Sequence, residues 1–295
     1  MTSVPSPRPV LWYTWVHGHE NYHTEAMAML LSCVAQKSPR ARLRVYTDQP
    51  KWYAWLAPHV EVHVLSEAQM EQWGSKSDYL PRIKAKLIEK VSAEFEGPTI
   101  WLDTDMWAVQ SLAPLEELLD EGHPLMHFDE SVIAKGSHGT DVSFRSYFLL
   151  RNPELLPRLH QYNSGVVGLP MGWSKRATQA LHILDDMEKH GVKDWTREQM
   201  AFSVPLAADG NLCLAESFFR HYCGGKQRAA WQPLLKRALF QMVIHHSQPE
   251  AIAVWMRSLP AGEIPAPDHR RLSWIEKKRR SLKKRFGLSL KWVSL

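Results

Sequence analysis

Thr99-Ile-Trp-Leu-Asp-Thr-Asp-Met106 is the stretch that decides the fold. Thr99 to Leu102 is apolar on both faces, as expected of a central strand covered by helices on both sides of a sheet, and Gly97-Pro98 breaks the chain just before it. Asp103 and Asp105 then fall at the carboxyl end of that strand, where open α/β sheets gather their ligands. Residues i and i+2 of a strand point to one face, about 6.5 Å apart, so the two acids can address one ligand while Thr104 turns away. Hard divalent cations take carboxylate oxygens and complete their shell with water and substrate phosphates, so the pair suits Mn2+ or Mg2+ carrying a nucleoside diphosphate. The plain alternative is a chance Asp-x-Asp in a polar loop. A carboxylate set against an apolar run argues otherwise, because it is costly unless a cation or hydrogen bonds compensate it.

Working towards the amino terminus, Pro81 to Phe95 has helical periodicity and carries Arg82, Lys84 and Lys86. Val60 to Leu65 alternates as a strand, and Leu43 to Thr47 reads as another that ends at Asp48. Ala, Met and Leu recur at helical spacing from about Thr24 to Gln36, and Val10 to Thr14 is a short apolar and aromatic run. Strand, helix and strand make a βαβ unit, and the expected class is α/β: a Rossmann-like mixed sheet flanked by helices.

Towards the carboxyl terminus come a helix at Leu115 to Leu119, the strand-like Tyr162-Asn-Ser-Gly-Val-Val-Gly-Leu169 and a helix from about Lys175 to His190. Pro260-Ala-Gly-Glu-Ile-Pro-Ala-Pro267 reads as a linker, giving a globular part at 1–260 and a basic tail at 261–295. Of the formal charge of +5, Glu276 to Lys291 alone contributes +7, which leaves about −2 elsewhere. The tail interleaves these cations with Trp274, Leu282, Phe286, Leu288, Leu290 and Trp292, the composition of an amphipathic helix that lies on anionic lipid. Its aromatic and leucine content favours a membrane surface over nucleic acid. Three cysteines, Cys33, Cys213 and Cys223, show no close pairing, and no run of eighteen apolar residues occurs. The expected location is the cytosol, peripheral on the inner face of the cell membrane. A 44% hydrophobic and 23% charged composition excludes a wholly disordered or fibrous chain.

The apolar strand with its Asp-x-Asp resembles the signature of GT-A glycosyltransferases, in particular the family 8-like and bacterial capsular-synthesis-like enzymes. Leu11-Trp-Tyr-Thr-Trp15 and Leu43-Arg-Val-Tyr-Thr-Asp48 are similar to that family's first βαβ unit, Tyr79 to Leu87 to its basic helix, and Tyr162-Asn-Ser-Gly-Val-Val167 to its Asn-Ser-Gly strand. The resemblance spans roughly residues 10 to 205. It implies a nucleoside-diphosphate sugar as donor, a glycan or lipid-linked acceptor, and a role in surface polysaccharide synthesis. It also implies a base and ribose pocket near Tyr13, Thr14 and Asp48, and donors to the sugar at Asn163, Ser164 and Gly165. A third metal ligand would come from a late histidine, and Ile244-His245-His246 is the place considered, although no Gly and Lys-Pro-Trp follow it. Adjacent strand histidines face opposite ways, so one of the two at most would reach the cation; an ordinary satisfied histidine is the alternative for each.

A departing diphosphate also needs protein cations, and Arg82 and Lys86, one helical turn apart, can share a face. A solvated helix face would look the same, and Tyr13 is equally suited to a core. Glu198-Gln199 resembles the pair that opens an acceptor-side helix. Glu198 would be the base of an inverting reaction, and Glu198 or Gln199 would stabilise the oxocarbenium-like centre of a retaining one. Two competing classes are a nucleotidyltransferase or phosphotransferase on the same acids, and a non-enzymatic membrane- or nucleic-acid-binding protein. The first would normally carry a Gly-rich phosphate loop, whereas Gly18 stands isolated in His17-Gly-His-Glu20.

Overall fold

The computed structural model describes residues 8–74, 79–136, 138–244, 248 and 250–258. The linker, the basic tail, His245 and His246 lie outside the described residues. The chain opens with β1 (Val10–Val16), α1 (Glu20–Val34), β2 (Ala41–Thr47) and β3 (Val60–Val64). Next come α2 (Glu67–Trp73), α3 (Pro81–Glu94), β4 (Thr99–Leu102), β5 (Met106–Ala108), α4 (Ala113–Asp120), β6 (Leu125–Met126) and β7 (Asp129–Val132). The second half runs through α5 (Gly139–Arg151), β8 (His160–Tyr162), β9 (Val166–Leu169), α6 (Ser174–Lys189) and α7 (Arg197–Leu206). It ends with β10 (Cys213–Leu214), β11 (Phe219–His221), α8 (Gly225–Ile244) and α9 (Glu250–Ser258).

Seven strands form one sheet in the order β10-β6-β9-β4-β1-β2-β3. Every neighbouring pair is parallel except those made by β9, which runs against both β4 and β6. This is the mixed sheet flanked by helices that the sequence leads one to expect. The period-2 alternation of β1 divides its side chains between two cores. Val10, Trp12 and Val16 pack with α1 and α8, whereas Leu11 and Tyr13 pack with α3, α6 and α7. Because β4 lies between β1 and β9 in the middle of the sheet, its carboxyl end is held from both sides: Asp103 N–H donates to Gly165 O (2.9 Å), one residue beyond the last ladder pair.

Several boundaries differ from the sequence expectation for local physical reasons. α1 begins earlier, at Glu20, because the His19 side chain accepts the Asn21 N–H and starts the helix there. The strand bearing the acids ends at Leu102, so Asp103 to Asp105 is a turn between β4 and β5, and the alternating-strand geometry assumed for the pair does not apply. Asn163-Ser164-Gly165 is likewise a turn, joining β8 to β9. The residues leading to His245 belong to α8, a helix rather than the strand expected there. No helix among the described residues is long and apolar enough to cross a membrane.

Candidate active site

The β4–β5 turn and β11 meet at one point. β11 pairs antiparallel with β5, placing His221 opposite Met106, and Tyr222 N–H donates to Asp105 O (3.1 Å). His221 is thereby delivered beside the acids, with its Nε2 3.4 Å from Asp105 Oδ1. Ligand atoms of Asp103, Asp105 and His221 all lie within 4.8 Å of one another. Two carboxylates and an imidazole fit a divalent first-row cation, and Mn2+ takes this mixed set more readily than Mg2+, which prefers oxygen alone.

Gly165 makes the close approach possible. A Cβ there would stand 3.0 Å from Asn163 Oδ1, 3.1 Å from His221 Cε1 and 3.3 Å from Met106 Sδ. Gly165→Ala is therefore expected to cost about 1–3 kcal/mol by overpacking and to weaken Mn2+ binding by displacing His221. Urea unfolding and Mn2+ calorimetry of the variant check both halves, and an unchanged Mn2+ affinity would show that His221 can shift without consequence.

The charges around the triad are tightly balanced. Burial opposes the Asp105 anion, but His221 and Arg228 outweigh it and hold its carboxyl below the ordinary carboxylate range. Burial likewise opposes the His221 cation, yet Asp105 and Cys223 push its pKa up to about 10. Lys84, on α3, is buried and reaches Asp103 Oδ1 (2.9 Å), Ser164 O (2.8 Å), Ser164 Oγ (3.0 Å) and Glu198 Oε1 (3.2 Å). The other Glu198 oxygen accepts from Ser164 Oγ (2.8 Å), so both carboxylate oxygens are engaged. Burial raises the Glu198 pKa, with Lys84 pulling it down and Asp103 adding to the rise. Gln199 Oε1 accepts from Asn163 Nδ2 (2.9 Å) and Ser164 N–H (3.2 Å), which ties the start of α7 to the turn before β9.

On the other side of the triad, Arg228 in the first turn of α8 donates to the buried Glu25 of α1 (2.7 Å) and holds its Nε 3.5 Å from Asp105 Oδ2. Glu25 is fixed a second time by Gln232 (2.9 Å). Gly224, at φ +90°, turns the chain into α8 and leaves the first amides of a twenty-residue helix at the cleft, an anion-favouring position beside Arg228. The triad, Lys84, Ser164, Glu198, Gln199 and Arg228 line one cleft of about 680 Å³ that Trp15, Tyr22 and Trp195 also border, and Glu25 and Gln232 stand behind Arg228.

No family model matches the sequence, and no curated protein matches it. Among solved structures, the chain is similar to the apo WbbM bifunctional glycosyltransferase at 10% identity and a TM-score of 0.47, covering 80% of this chain and 52% of that one. It is also similar to apo mouse xyloside xylosyltransferase 1 at 16% identity and a TM-score of 0.47, covering 71% and 85% respectively. Both neighbours are glycosyltransferases, and this chain spans about half the length of the WbbM chain.

Of the residues singled out from the sequence, Asp103, Asp105, Asn163, Ser164, Glu198 and Gln199 converge on the cleft, with Gly165 packed directly behind it. Others lie elsewhere. Tyr13 is in the interior, edge-on to Trp101 (5.7 Å) and Tyr46 (6.5 Å), and Thr14 is fully buried on the other face, because β1 is covered on both sides. Asp48 lies behind the loop after β1, accepting from Gly18 N–H (3.3 Å). Arg82 pairs with Asp185 of α6 (2.7 Å), and Lys86 pairs with Glu89 on its own helix. The face shared by Arg82 and Lys86 points away from the sheet. Lys84 belongs to the buried stripe Lys84, Leu87, Ile88 and Val91, and a cation in an apolar stripe is a signal that anions await it inside. His221 also had a signal: it ends the alternating Phe219-Arg-His and is followed by Gly224 and Lys226, part of the His, Gly and Lys order sought near His245.

Proposed function

We propose that the chain is a metal-dependent glycosyltransferase of the GT-A type that takes a nucleoside-diphosphate sugar and passes the sugar to a hydroxyl of a glycan or lipid-linked acceptor. The observation that carries this reading is the Asp103, Asp105 and His221 triad at the floor of a cleft flanked by Arg228 and the start of α8. When bound, the cation supplies positive charge to the diphosphate as it leaves. Arg228 and the first amides of α8 would hold the phosphate oxygens on one side. Trp15 and Tyr22 border the cleft at the carboxyl end of β1 and would offer aromatic faces to the base, the part that the family resemblance implies for Tyr13.

On the opposite side Asn163, Gln199 and Glu198 would face the sugar. Because both Glu198 oxygens are engaged, its first task is to hold Lys84 against Asp103 and Ser164, so that a fixed positive charge borders the reacting centre. In an inverting reaction Glu198 would also take the acceptor proton, for which its raised pKa is suited.

A direct test combines metal and donor. Mn2+ with nucleoside diphosphate at about a hundredfold over its Kd is expected to stabilise the fold by roughly 2.7 kcal/mol. EDTA should remove that gain and stop release of nucleoside diphosphate from the donor. Binding that survives both EDTA and the Asp103→Ala, Asp105→Ala double substitution would end the metal-site reading.

A further inference from the structure

Trp195 is 67% exposed, far more than any other tryptophan among the described residues, and it stands at the rim of the same cleft as the triad. A large ring left in water on a flexible loop needs no explanation, but this loop is firmly held. Asp194 Oδ1 accepts from Thr196 N–H (2.9 Å) and Thr196 Oγ1 (2.8 Å), closing a tight turn around Trp195. Tyr79 OH donates to Trp195 O (2.6 Å) and accepts from Glu198 N–H (3.2 Å). One buried hydroxyl thus fixes the position of Trp195 relative to Glu198. The indole meets the Tyr79 ring edge-on at 5.4 Å, and the Arg197 guanidinium closes the other side of that ring at 3.4 Å. The indole is therefore preorganised, with most of its surface free.

We propose that Trp195 is the platform on which the acceptor binds, and that the acceptor presents a pyranose ring at this point. A pyranose has one face of C–H bonds, which suits an aromatic plane, and a rim of hydroxyls, which need polar partners. The cleft that Trp195 borders supplies both: Thr196, Glu130, Asn163 and Gln199 line it with polar groups, and Leu80 and Pro81 add a short apolar stretch beside the Tyr79 contact. An acyl chain would require contiguous apolar walls, whereas the cleft interleaves its apolar side chains with Thr196, Glu130, Asn163 and Gln199. Glu198, three residues beyond Trp195 in the first turn of α7, borders Lys84 and hence the triad, so a ring stacked on the indole would bring a hydroxyl towards the transfer centre.

This inference rests on the transferase reading, and the experiment separates the two. With Mn2+, hydrolysis of UDP-glucose, UDP-galactose, UDP-N-acetylglucosamine and GDP-mannose by the full chain selects a donor. With that donor, the methyl glycosides β-glucoside, β-galactoside, β-lactoside and α-mannoside are offered to the wild type, Trp195→Ala and Trp195→Phe. The expected result is transfer to at least one glycoside. Its KM should rise tenfold or more in Trp195→Ala and less than threefold in Trp195→Phe, while the donor KM moves less than threefold in both. A loss of scaffold would instead raise both KM values together, and that result overturns the proposal. So do equal acceptor KM values in all three proteins, or donor hydrolysis without transfer to any of the glycosides. Absence of hydrolysis with every donor would overturn the transferase reading, and the platform with it.

Discussion

His221→Ala is expected to raise the dissociation constant for Mn2+ by more than the roughly 10–100-fold that follows loss of an outer-sphere partner, and to reduce nucleoside-diphosphate release at least as far. The substitution deletes the one nitrogen donor of the triad, and it also removes the group that, with Arg228, keeps the buried Asp105 ionised. Alanine leaves the β5–β11 main-chain pairing intact, so the loss should appear in metal calorimetry with the fold retained. The comparison variant is the His245→Ala, His246→Ala double substitution, which tests the pair first considered from the sequence. Mn2+ affinity is expected to stay within about threefold of wild type in that variant, since Asp103, Asp105 and His221 together already offer three ligands, the number that catalytic metal sites take from the protein. Metal binding that persists in His221→Ala and disappears in the double variant would move the third ligand to the pair.

The contrast between His221 and His245 shows where sequence reading stops. Parallel strands separated by helices leave a local imprint, because each apolar run is short and each helix has its own period. For that reason β1, β2, β3 and β4, with α1 and α3 between them, were legible. β9 was legible as a strand but not in direction, since nothing local records which way a strand runs beside β4. β5 and β11 are three residues each, too short for an alternation to mark a strand by itself, and they pair across a long stretch of chain. The candidate metal site depends on that pairing, which is why Asp103 and Asp105 stand out in the sequence while His221 carries only the weak signal of the residues beside it. Lys84 is a different kind of miss. Its helix is plain in the sequence, but the spacing draws attention to the face shared by Arg82 and Lys86, and that face is turned towards α6 and solvent. The buried stripe on the same helix held the more informative cation, because a lysine there must have partners that no surface lysine needs.

Lys84→Met accordingly should be the most destabilising single change at the site, by about 3–5 kcal/mol near neutral pH, the usual cost of breaking a buried ion pair from one side. Methionine keeps the volume of the stem and deletes the charge, leaving Asp103 and the nearly fully buried Glu198 facing each other without compensation. The pH dependence has a definite sign. Burial already lifts the Glu198 carboxyl above its ordinary value of 4.5, and Lys84 is the group that pulls it back down. A carboxyl whose folded pKa lies above its unfolded value loses stability as pH rises from the unfolded value through the folded one. Removing Lys84 widens that window. The deficit of Lys84→Met against wild type should then grow as pH rises above the ordinary carboxylate range and shrink as pH falls and Glu198 takes up its proton. Adding Glu198→Gln should recover a good part of the loss at neutral pH, because a neutral amide can still accept from Ser164 and no longer repels Asp103. Urea midpoints of the wild type, both single variants and the double variant at pH 5, 6.5 and 8 give all of these quantities. A deficit that stays constant across the three pH values, with no recovery in the double variant, would mean that Lys84 stabilises the protein by packing its stem and not by its charge.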